Sequence, residues 1–474
     1  MSVNTRRTGN TVSEDKEEKL NVILGVSHIR GIVTLMKTLS LMHMKRTRLF
    51  VSVGITFYLI TGHSSFLFVA AAVPVWSLAE KEKSAFLETL QELVSIESGS
   101  RDRQGLDKIS TYIAAKLSAL GGQVELIEPG ADTYRMSDTP ATPGRMVLAQ
   151  FTGEGTPRIL MLAHMDTVYS QGSAAEQPFR IDENRAFGLG IADDKQGIAM
   201  ILHSLAILKS LGFRNYGLIT VLINGDEEIS SPASRTVITQ LGASHDAIFS
   251  FEASRVDADK ISLATSGIAA VTLTVKGRAS HSGFAPEKGV NALYELAHQI
   301  LQTRGLSDPS IGTKLNWTMA NAGVTRNMIP PSAQASADVR VLRVSDYADV
   351  ETKIRELVKN KLLPDSEVQI SFERRRPPLE ASSSAKILAT HAQAIYREID
   401  KALLVDDQPE GGGTDAAFAA LNTRAPVLER LGLLGFGEHS DSAEYVLLDS
   451  IAPRLYLATR MIIEIGLGKI LREP

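Results

Sequence analysis

At residues 160–168 the chain reads Leu-Met-Leu-Ala-His-Met-Asp-Thr-Val, and this stretch indicates the class of fold. Four apolar residues are followed by two polar side chains, His164 and Asp166. An unbroken apolar run is typical of a strand buried on both faces, which favours a parallel sheet. Polar groups at the carboxyl end of such a strand lie where α/β proteins place their active sites. Taken alone, the motif is equally compatible with a purely structural role, in which the histidine ends a strand and the aspartate begins a turn.

Length and composition limit the class of protein. The chain has 474 residues, enough for two or three domains. Charged residues make up 22% and hydrophobic residues 44%, as in ordinary soluble proteins, and the net charge of −4 gives no reason to expect a nucleic-acid partner. Because the sequence contains no cysteine, any metal ion must be bound by His, Asp or Glu. That ligand set favours zinc or another first-row ion.

The N-terminal region has the order of an export signal. Residues 1–43 show mixed charge and weak periodicity, and we interpret them as a disordered or untranslated leader. Residues 44–79 begin with basic side chains, continue with an apolar run over 49–76 and end in the small-residue site Ser77-Leu78-Ala79. This order predicts a signal peptide and export to the periplasm or the medium. An uncleaved membrane anchor is the alternative, because residues 49–76 are long enough to span a bilayer.

After residue 80, apolar strands alternate with helices. Residues 80–120 have helical spacing of apolar side chains, and a glycine-rich loop enters a second helix at 198–208. The strands are expected at 124–127, 146–151, 159–163, 216–223 and 247–251. This alternation predicts an α/β fold with a mainly parallel sheet. We assign the catalytic domain to residues 80–265 and 384–474.

A different pattern separates these two parts. Strands are expected at 270–275, 315–320, 333–341 and 367–372, with helices at 290–303 and about 347–361. The resulting β-α-β-β-α-β order is that of the ferredoxin-like unit. We therefore predict an inserted α+β domain over residues 266–383.

Acidic side chains follow three of the apolar strands. His164 precedes Asp166 after one strand, Glu227 and Glu228 follow another, and Glu252 follows the third. Carboxylates gathered at one edge of a sheet repel each other unless they are protonated or bound to cations. A pair of divalent ions removes this cost, so the group predicts a metal site more strongly than any one member does.

Two pairs of adjacent acidic residues permit a division of roles. Side chains next to each other on an extended segment point in different directions, so one of Glu227 and Glu228 can bind a metal while the other acts as a base. A solvated acidic turn is the alternative. In the pair Asp193 and Asp194, one carboxylate could bridge two ions, or the pair could cap the helix that follows.

In this order the motifs resemble the co-catalytic di-zinc exopeptidases, which include glutamate carboxypeptidases, aminoacylases and desuccinylases. The resemblance covers residues 80–474 and is strongest to the bacterial glutamate carboxypeptidase branch. It implies two zinc ions per subunit. The ligands that it implies are His164 and Glu252 for the first ion, Glu228 and His439 for the second, and Asp193 as the bridge.

The resemblance also implies a mechanism. Glu227 is the general base, which takes a proton from the attacking water and returns it to the leaving amine. The zinc ions lower the pKa of that water, and Asp166 steadies the imidazole of His164. No nucleophilic serine motif is present, so a covalent acyl-enzyme has no obvious candidate.

Substrate contacts are expected from the inserted domain, which the resemblance makes a lid and a dimerisation domain. His281 would donate to the carbonyl oxygen, often across a dimer, although composition alone places it in a surface loop. Asn327 would hold the oxyanion or the substrate, and Arg340 would bind a carboxylate, with a strand-surface charge as its alternative. Lys260 and Arg376 are weaker candidates for a second substrate carboxylate. The glycine-rich loop 411–415 resembles the family's substrate-side backbone.

Together these features predict an enzyme that hydrolyses the amide bond to a C-terminal amino acid, with glutamate as the expected residue. Its substrate would be a small peptide or an N-acyl-amino acid, and its lid would form a homodimer. An N-acyl-amino-acid deacylase or a dipeptidase would use the same metal site. A non-catalytic binding protein of this fold would be expected to lose a ligand or the base, and this chain retains all of them.

Overall fold

The structure is a computed structural model that describes residues 74–440 and 444–470. All of these belong to one compact unit, Ala71–Pro474. The predicted leader and most of the predicted signal peptide, residues 44–73, lie outside the described residues. Within the described part, no helix is both long and apolar enough to cross a membrane.

The bounds of the regular elements are as follows. The helices are α1 (74–94), α2 (Arg103–Leu120), α3 (Gln196–Ser210), α4 (Arg235–Ala243), α5 (Ala292–Thr303), α6 (Asp346–Leu357), α7 (Ser383–Arg397), α8 (Ala416–Ala420) and α9 (Ile451–Gly466). The strands are β1 (Gln123–Ile127), β2 (Met146–Thr152), β3 (Arg158–His164), β4 (Arg180–Asp182), β5 (Arg185–Phe187), β6 (Leu218–Asn224), β7 (Ala247–Ser250), β8 (Ser254–Arg255), β9 (Lys260–Ser262), β10 (Gly267–Lys276), β11 (Lys314–Ala322), β12 (Ser332–Val341), β13 (Glu367–Arg376), β14 (Leu404–Asp406), β15 (Val427–Leu428), β16 (Leu434–Phe436) and β17 (Tyr445–Leu447).

A six-stranded sheet in the order β1-β2-β6-β3-β7-β15 forms the centre of the catalytic domain. Strands β6, β3, β7 and β15 are parallel, and β2 pairs antiparallel with both β6 and β1. Alternate residues of β3 enter two separate cores, Met161 on one face and Leu162 on the other. The prediction of a mainly parallel sheet with doubly buried strands is therefore confirmed.

Helix α1 belongs to the core of the catalytic domain. Val75 is 1% exposed and Ala79 is fully buried, and the ring of Trp76 lies edge-on to Tyr456 of α9 with centroids 5.8 Å apart. The boundary predicted between residues 79 and 80 therefore cuts through a packed helix. The predicted helical region also contains a break, because residues 95–102 separate α1 from α2.

The inserted domain has the predicted β-α-β-β-α-β order. Its four strands form the sheet β11-β12-β10-β13, and burial alternates along β10 and β12. Helices α5 and α6 cover the buried face and share one apolar core with it. The ferredoxin-like prediction is confirmed. Every second side chain of the strands and the apolar faces of the two helices form this core.

Candidate metal centre and substrate cleft

The predicted ligands meet at the carboxyl edge of the central sheet. His164 is the last residue of β3, and Glu227 and Glu228 begin a single turn just after β6. Glu252 lies two residues beyond β7. Because these strands are parallel, their ends fall at one edge, which is why segments far apart in sequence can share a site.

His164, Asp193 and Glu252 form the first of two acid–histidine groups. The Nε2 atom of His164 lies 2.9 Å from Asp193 Oδ1 and 3.5 Å from Glu252 Oε1. On the other side of the ring, Nδ1 donates to the backbone carbonyl of Asp166 at 3.0 Å. This bond directs Nε2 towards the two carboxylates, as in imidazoles that bind metals.

Asp193, Glu228 and His439 form the second group. The Nε2 atom of His439 lies 3.2 Å from Asp193 Oδ2 and 3.1 Å from Glu228 Oε2. Asp193 thus presents one oxygen to each group, which is the geometry that a bridging ligand requires. The His439 side chain is 59% exposed, so the second group opens to solvent more than the first.

The chemistry of both groups fits divalent cations. Each combines one imidazole with two carboxylates, a donor set that suits zinc and related ions. Burial and the neighbouring charge of Asp193 raise the pKa of Glu228 to about 7. Its buried Oε1 atom has no hydrogen-bond partner among the described residues. A cation would relieve both of these costs.

Asp166 is fully buried and contacts both the acidic turn and His164. Its Oδ1 atom accepts the backbone N–H of Glu227 at 3.0 Å, and its Oδ2 atom accepts that of Glu228 at 3.1 Å. The Oδ2 atom also accepts the hydroxyl of Ser100 at 2.8 Å, and Oδ1 lies 3.4 Å from Nδ1 of His164. Asp166 was expected to steady His164, and the structure adds that it fixes the acidic turn as well.

Glu227 is a buried carboxylate held by an arginine of the inserted domain. The Nη1 atom of Arg376 binds Glu227 Oε1 and also lies 3.2 Å from Asp415 Oδ1. Burial raises the pKa of Glu227 to about 8, and the charges of Arg376 and His164 oppose that rise. Arg376 was expected only as a weaker substrate contact, and its contact with the proposed base was not predicted.

A cleft of about 440 Å³ joins the two acid–histidine groups to the inserted domain. Arg340 of β12 lies in its wall, with Nε and Nη2 bound to the carboxylate of Asp338 at 2.9 and 3.0 Å. Its Nη1 atom donates to the carbonyl of Gly411 at 2.9 Å. The remaining lining residues include Arg255, Ile268, Gly412, Gly413, Thr414, Arg430 and Glu438.

The structure places three other predicted residues outside the lining of this cleft. The Nδ1 atom of His281 accepts the N–H groups of Gly283 and Phe284 at 3.2 and 3.0 Å. Asn327 lies beside it in the inserted domain, where its carbonyl accepts the N–H of Ser282 at 3.0 Å. The ammonium of Lys260 is bound by Glu410 and, at 3.3 Å, by Asp406. Delivery of His281 across a dimer stays a prediction.

Four polar residues near the site had no signal that we recognised in the sequence. Arg255 and Arg430 line the cleft, and the left-handed backbone of Arg430, φ 66°, aims its side chain at the carbonyl of Ala253, 2.8 Å away. Tyr169 and Glu444 join the loops that carry the ligands. The one available hint for these two was position, since each lies five residues after a predicted histidine ligand.

Parallel strands that end in two imidazole–carboxylate groups with a shared aspartate are typical of metal-dependent hydrolases. The profile of Peptidase family M20/M25/M40 matches residues 160–464. The chain belongs to this family. The enzyme class predicted from the sequence, a metallocarboxypeptidase-type hydrolase, is confirmed.

Two curated relatives illustrate the range of the family. Carboxypeptidase G2 from Pseudomonas sp. (strain RS-16) is 42% identical over 395 residues, which cover 83% of this chain and 92% of the relative. Acetylornithine deacetylase from Edwardsiella ictaluri (strain 93-146) is 26% identical over 388 residues, which cover 78% and 93%.

Solved structures share the fold at lower identity. The M20 family metallo-carboxypeptidase Sso-CP2 from Sulfolobus solfataricus has a TM-score of 0.65 at 16% identity, covering 81% of this chain and 99% of its own. Human carnosine dipeptidase 1 has a TM-score of 0.61 at 16% identity, covering 84% and 100%. These likenesses confirm the predicted fold class.

Proposed function

We propose that this protein is a two-zinc carboxypeptidase that hydrolyses the amide bond to a C-terminal glutamate. One observation carries the proposal: two arginines of the inserted domain, Arg340 and Arg376, line the same cleft as carboxylates from both acid–histidine groups. A free carboxylate can therefore be bound beside an amide that faces the metal centre. The 42% identity to carboxypeptidase G2 over most of both chains supports the same activity.

The chain's own residues divide the work of hydrolysis. His164, Asp193 and Glu252 would hold one ion, and Asp193, Glu228 and His439 the other. Two bound divalent ions supply Lewis-acid polarisation of the carbonyl and a lowered pKa for the attacking water. Glu227 accepts a proton from that water and delivers it to the leaving nitrogen.

The glutamate preference rests on the charge of the cleft. Arg340 is half-buried, with two of its N–H groups bound by Asp338 and one by the carbonyl of Gly411, so two of its five N–H groups remain to pair with the substrate's α-carboxylate. Arg255 and Arg430 lie in the same lining and could receive a second carboxylate. A dicarboxylic residue therefore matches this cleft better than a neutral one.

An N-acyl-amino-acid deacylase or a dipeptidase is the second candidate. It would use the same ion site and Glu227, and the similarity to acetylornithine deacetylase over 78% of this chain supports it. The two candidates differ in the leaving amino acid: the first requires glutamate, and the second does not.

We also propose a homodimer that forms through the inserted domain. This domain exposes large apolar side chains, including Phe284 at 88%, Leu301 at 68% and Met319 at 70%. A partner that packs against this domain would cover part of this apolar area and could receive His281 in its own cleft. Sedimentation of the purified protein tests the proposal, and a monomer at micromolar concentration would count against it.

Export remains part of the proposal, with one revision. Cleavage after Ala79 would remove residues 75–79, whose Val75 and Ala79 lie in the core. We therefore place the processing site before residue 74, where Ala70-Ala71-Ala72 offers another small-residue pattern. N-terminal sequencing of the exported protein tests this assignment.

Hydrolysis assays with matched substrates test the function. The metal-loaded protein should cleave N-acyl-glutamate and folate and should cleave their α-amidated forms poorly. Chelation should abolish activity, zinc should restore it, and metal analysis should find about two ions per chain. Equal cleavage of free and amidated substrates would refute the carboxypeptidase proposal and favour a general amidase, and active protein without a divalent ion would refute both candidates.

A further inference from the structure

The loop that carries His439 is attached to the metal centre by two residues, Tyr169 and Glu444. The hydroxyl of Tyr169 lies 2.6 Å from Glu444 Oε2 and 2.8 Å from the carbonyl oxygen of Ser440. Ser440 directly follows His439, and Glu444 leads into β17. Tyr169 therefore contacts this loop on both sides of residues 441–443.

Glu444 reaches from this loop to the turn that presents Asp193. Its Oε1 atom accepts the backbone N–H of Ala192 at 2.9 Å and that of Asp193 at 3.2 Å. Its Oε2 atom accepts the N–H of Gly190 at 2.9 Å. Glu444 is 2% exposed, so these bonds are shielded from competing water.

His439 needs such support more than the other proposed ligands do. Its side chain is 59% exposed, compared with 17% for Asp193 and 7% for Glu228, so packing does little to orient it. Its backbone also has φ 61°, a left-handed conformation that is unfavourable for a residue with a side chain. Contacts outside the residue must therefore keep this conformation populated.

We propose that Tyr169 and Glu444 are positioning residues that fix His439 relative to Asp193 and thereby set the affinity of the second ion site. The inference rests on the proposed two-ion centre. Tyr169 touches the loop of the second site, whereas His164 of the first site is oriented by Asp166. Loss of the tyrosine hydroxyl should therefore weaken the second site much more than the first.

The role of Glu444 should be broader, because Asp193 belongs to both groups. Replacement of the carboxylate weakens the hold on the whole Asp193 turn. The Glu444→Gln variant should consequently lose affinity at both sites. The difference between the two variants distinguishes a specific effect on His439 from a general destabilisation of the fold.

Zinc retention by Tyr169→Phe tests the inference directly. Zinc-loaded protein is equilibrated against chelator buffers of increasing strength, and the zinc content per chain is measured at each. We expect one ion to be lost at free zinc about 10–100-fold higher than in the wild type, with a clearly smaller change for the other ion. Tyr112→Phe is the matched control, because it also removes a tyrosine hydroxyl bound to a glutamate, Glu92, but on the surface.

The outcomes separate the role of Tyr169 from the existence of the two-ion centre. A Tyr169→Phe protein that keeps both ions as the wild type does would overturn the inference, and so would equal weakening of both sites. Wild type that binds fewer than two ions would instead refute the two-ion centre. If Tyr169→Phe does not fold, Glu444→Gln decides, since unchanged zinc retention in that variant also overturns the inference.

Discussion

Arg376, the last residue of lid strand β13, binds the carboxylate of Glu227, which lies 149 positions earlier in the chain, just after catalytic strand β6. Neighbouring contacts reinforce this junction, because Arg375 binds both carboxylate oxygens of Asp138 at 2.7 and 2.8 Å. The inserted domain therefore contributes a charge to the proposed base. The electrostatic environment of Glu227 depends on how the lid is docked.

Replacing Arg376 with glutamine should move the acid limb of kcat/KM to higher pH. Burial raises the pKa of Glu227, and Arg376 is the strongest attraction that opposes this rise. Since the base works deprotonated, loss of the positive charge means that a higher pH is needed for the same active fraction. Profiles of kcat/KM against pH measure the shift. Arg376→Lys is the control, because it keeps the charge, and an unmoved limb in the glutamine variant would contradict the assignment.

The Glu227→Gln variant should be nearly inactive with its metal content intact. Glutamine keeps the shape of the side chain but cannot accept the proton of the water, and loss of a general base costs on the order of 10²–10⁴ in rate. Steady-state kcat and zinc content should be measured on the same sample. Wild-type kcat in this variant would show that another residue is the base.

Arg340→Ala should reduce kcat/KM at least about tenfold, or ~1.4 kcal/mol, for substrates with a free C-terminal glutamate. The planar guanidinium can hold a carboxylate in a fixed orientation, which lysine cannot reproduce. A rise in KM alone would indicate equal binding in the ground and transition states, and a fall in kcat would indicate a role in placing the amide. Amidated substrates serve as the control, since the substitution should change their slow cleavage little.

A chain that begins at Glu80 should be less stable than one that begins at residue 73. The shorter chain lacks Val75 and Ala79 from the core and the contact of Trp76 with Tyr456. Loss of these buried groups should cost at least about 2 kcal/mol in the free energy of unfolding. Urea denaturation of the two proteins, compared at equal zinc, measures the difference. Equal midpoints and slopes would show that residues 74–79 do not stabilise the domain.

Local sequence patterns were enough to predict the elements that form the site. The apolar run before His164 forms β3 and is buried on both faces, as its unbroken apolar character predicts. The acidic residues after β6 and β7 then meet His164 because parallel strands share an edge. Two chain-distant contacts, Arg376 to Glu227 and Tyr169 to Glu444, were not predictable in this way. They depend on how the lid and the loops dock, which no short-range spacing encodes.

The predicted boundary between residues 79 and 80 falls within helix α1, for a related reason. The apolar residues of α1 directly continue the apolar run of the predicted signal, so composition alone offers no point of change between them. The boundary becomes visible only when Val75 and Trp76 are seen against their neighbours. A small-residue pattern at 77–79 is typical both of a cleavage signal and of a closely packed helix, so it does not distinguish the two.

Because the carboxylate of Asp193 presents one oxygen to each acid–histidine group, the two proposed ion-binding equilibria should depend on each other. An ion that fixes the carboxylate for one group changes the free energy with which the other group accepts its own ion. Thermodynamic reciprocity requires the same factor whichever ion arrives first. At limiting metal, the fractions of singly and doubly loaded chains should therefore differ from those that two separate sites would give. The size of this difference measures the coupling through Asp193.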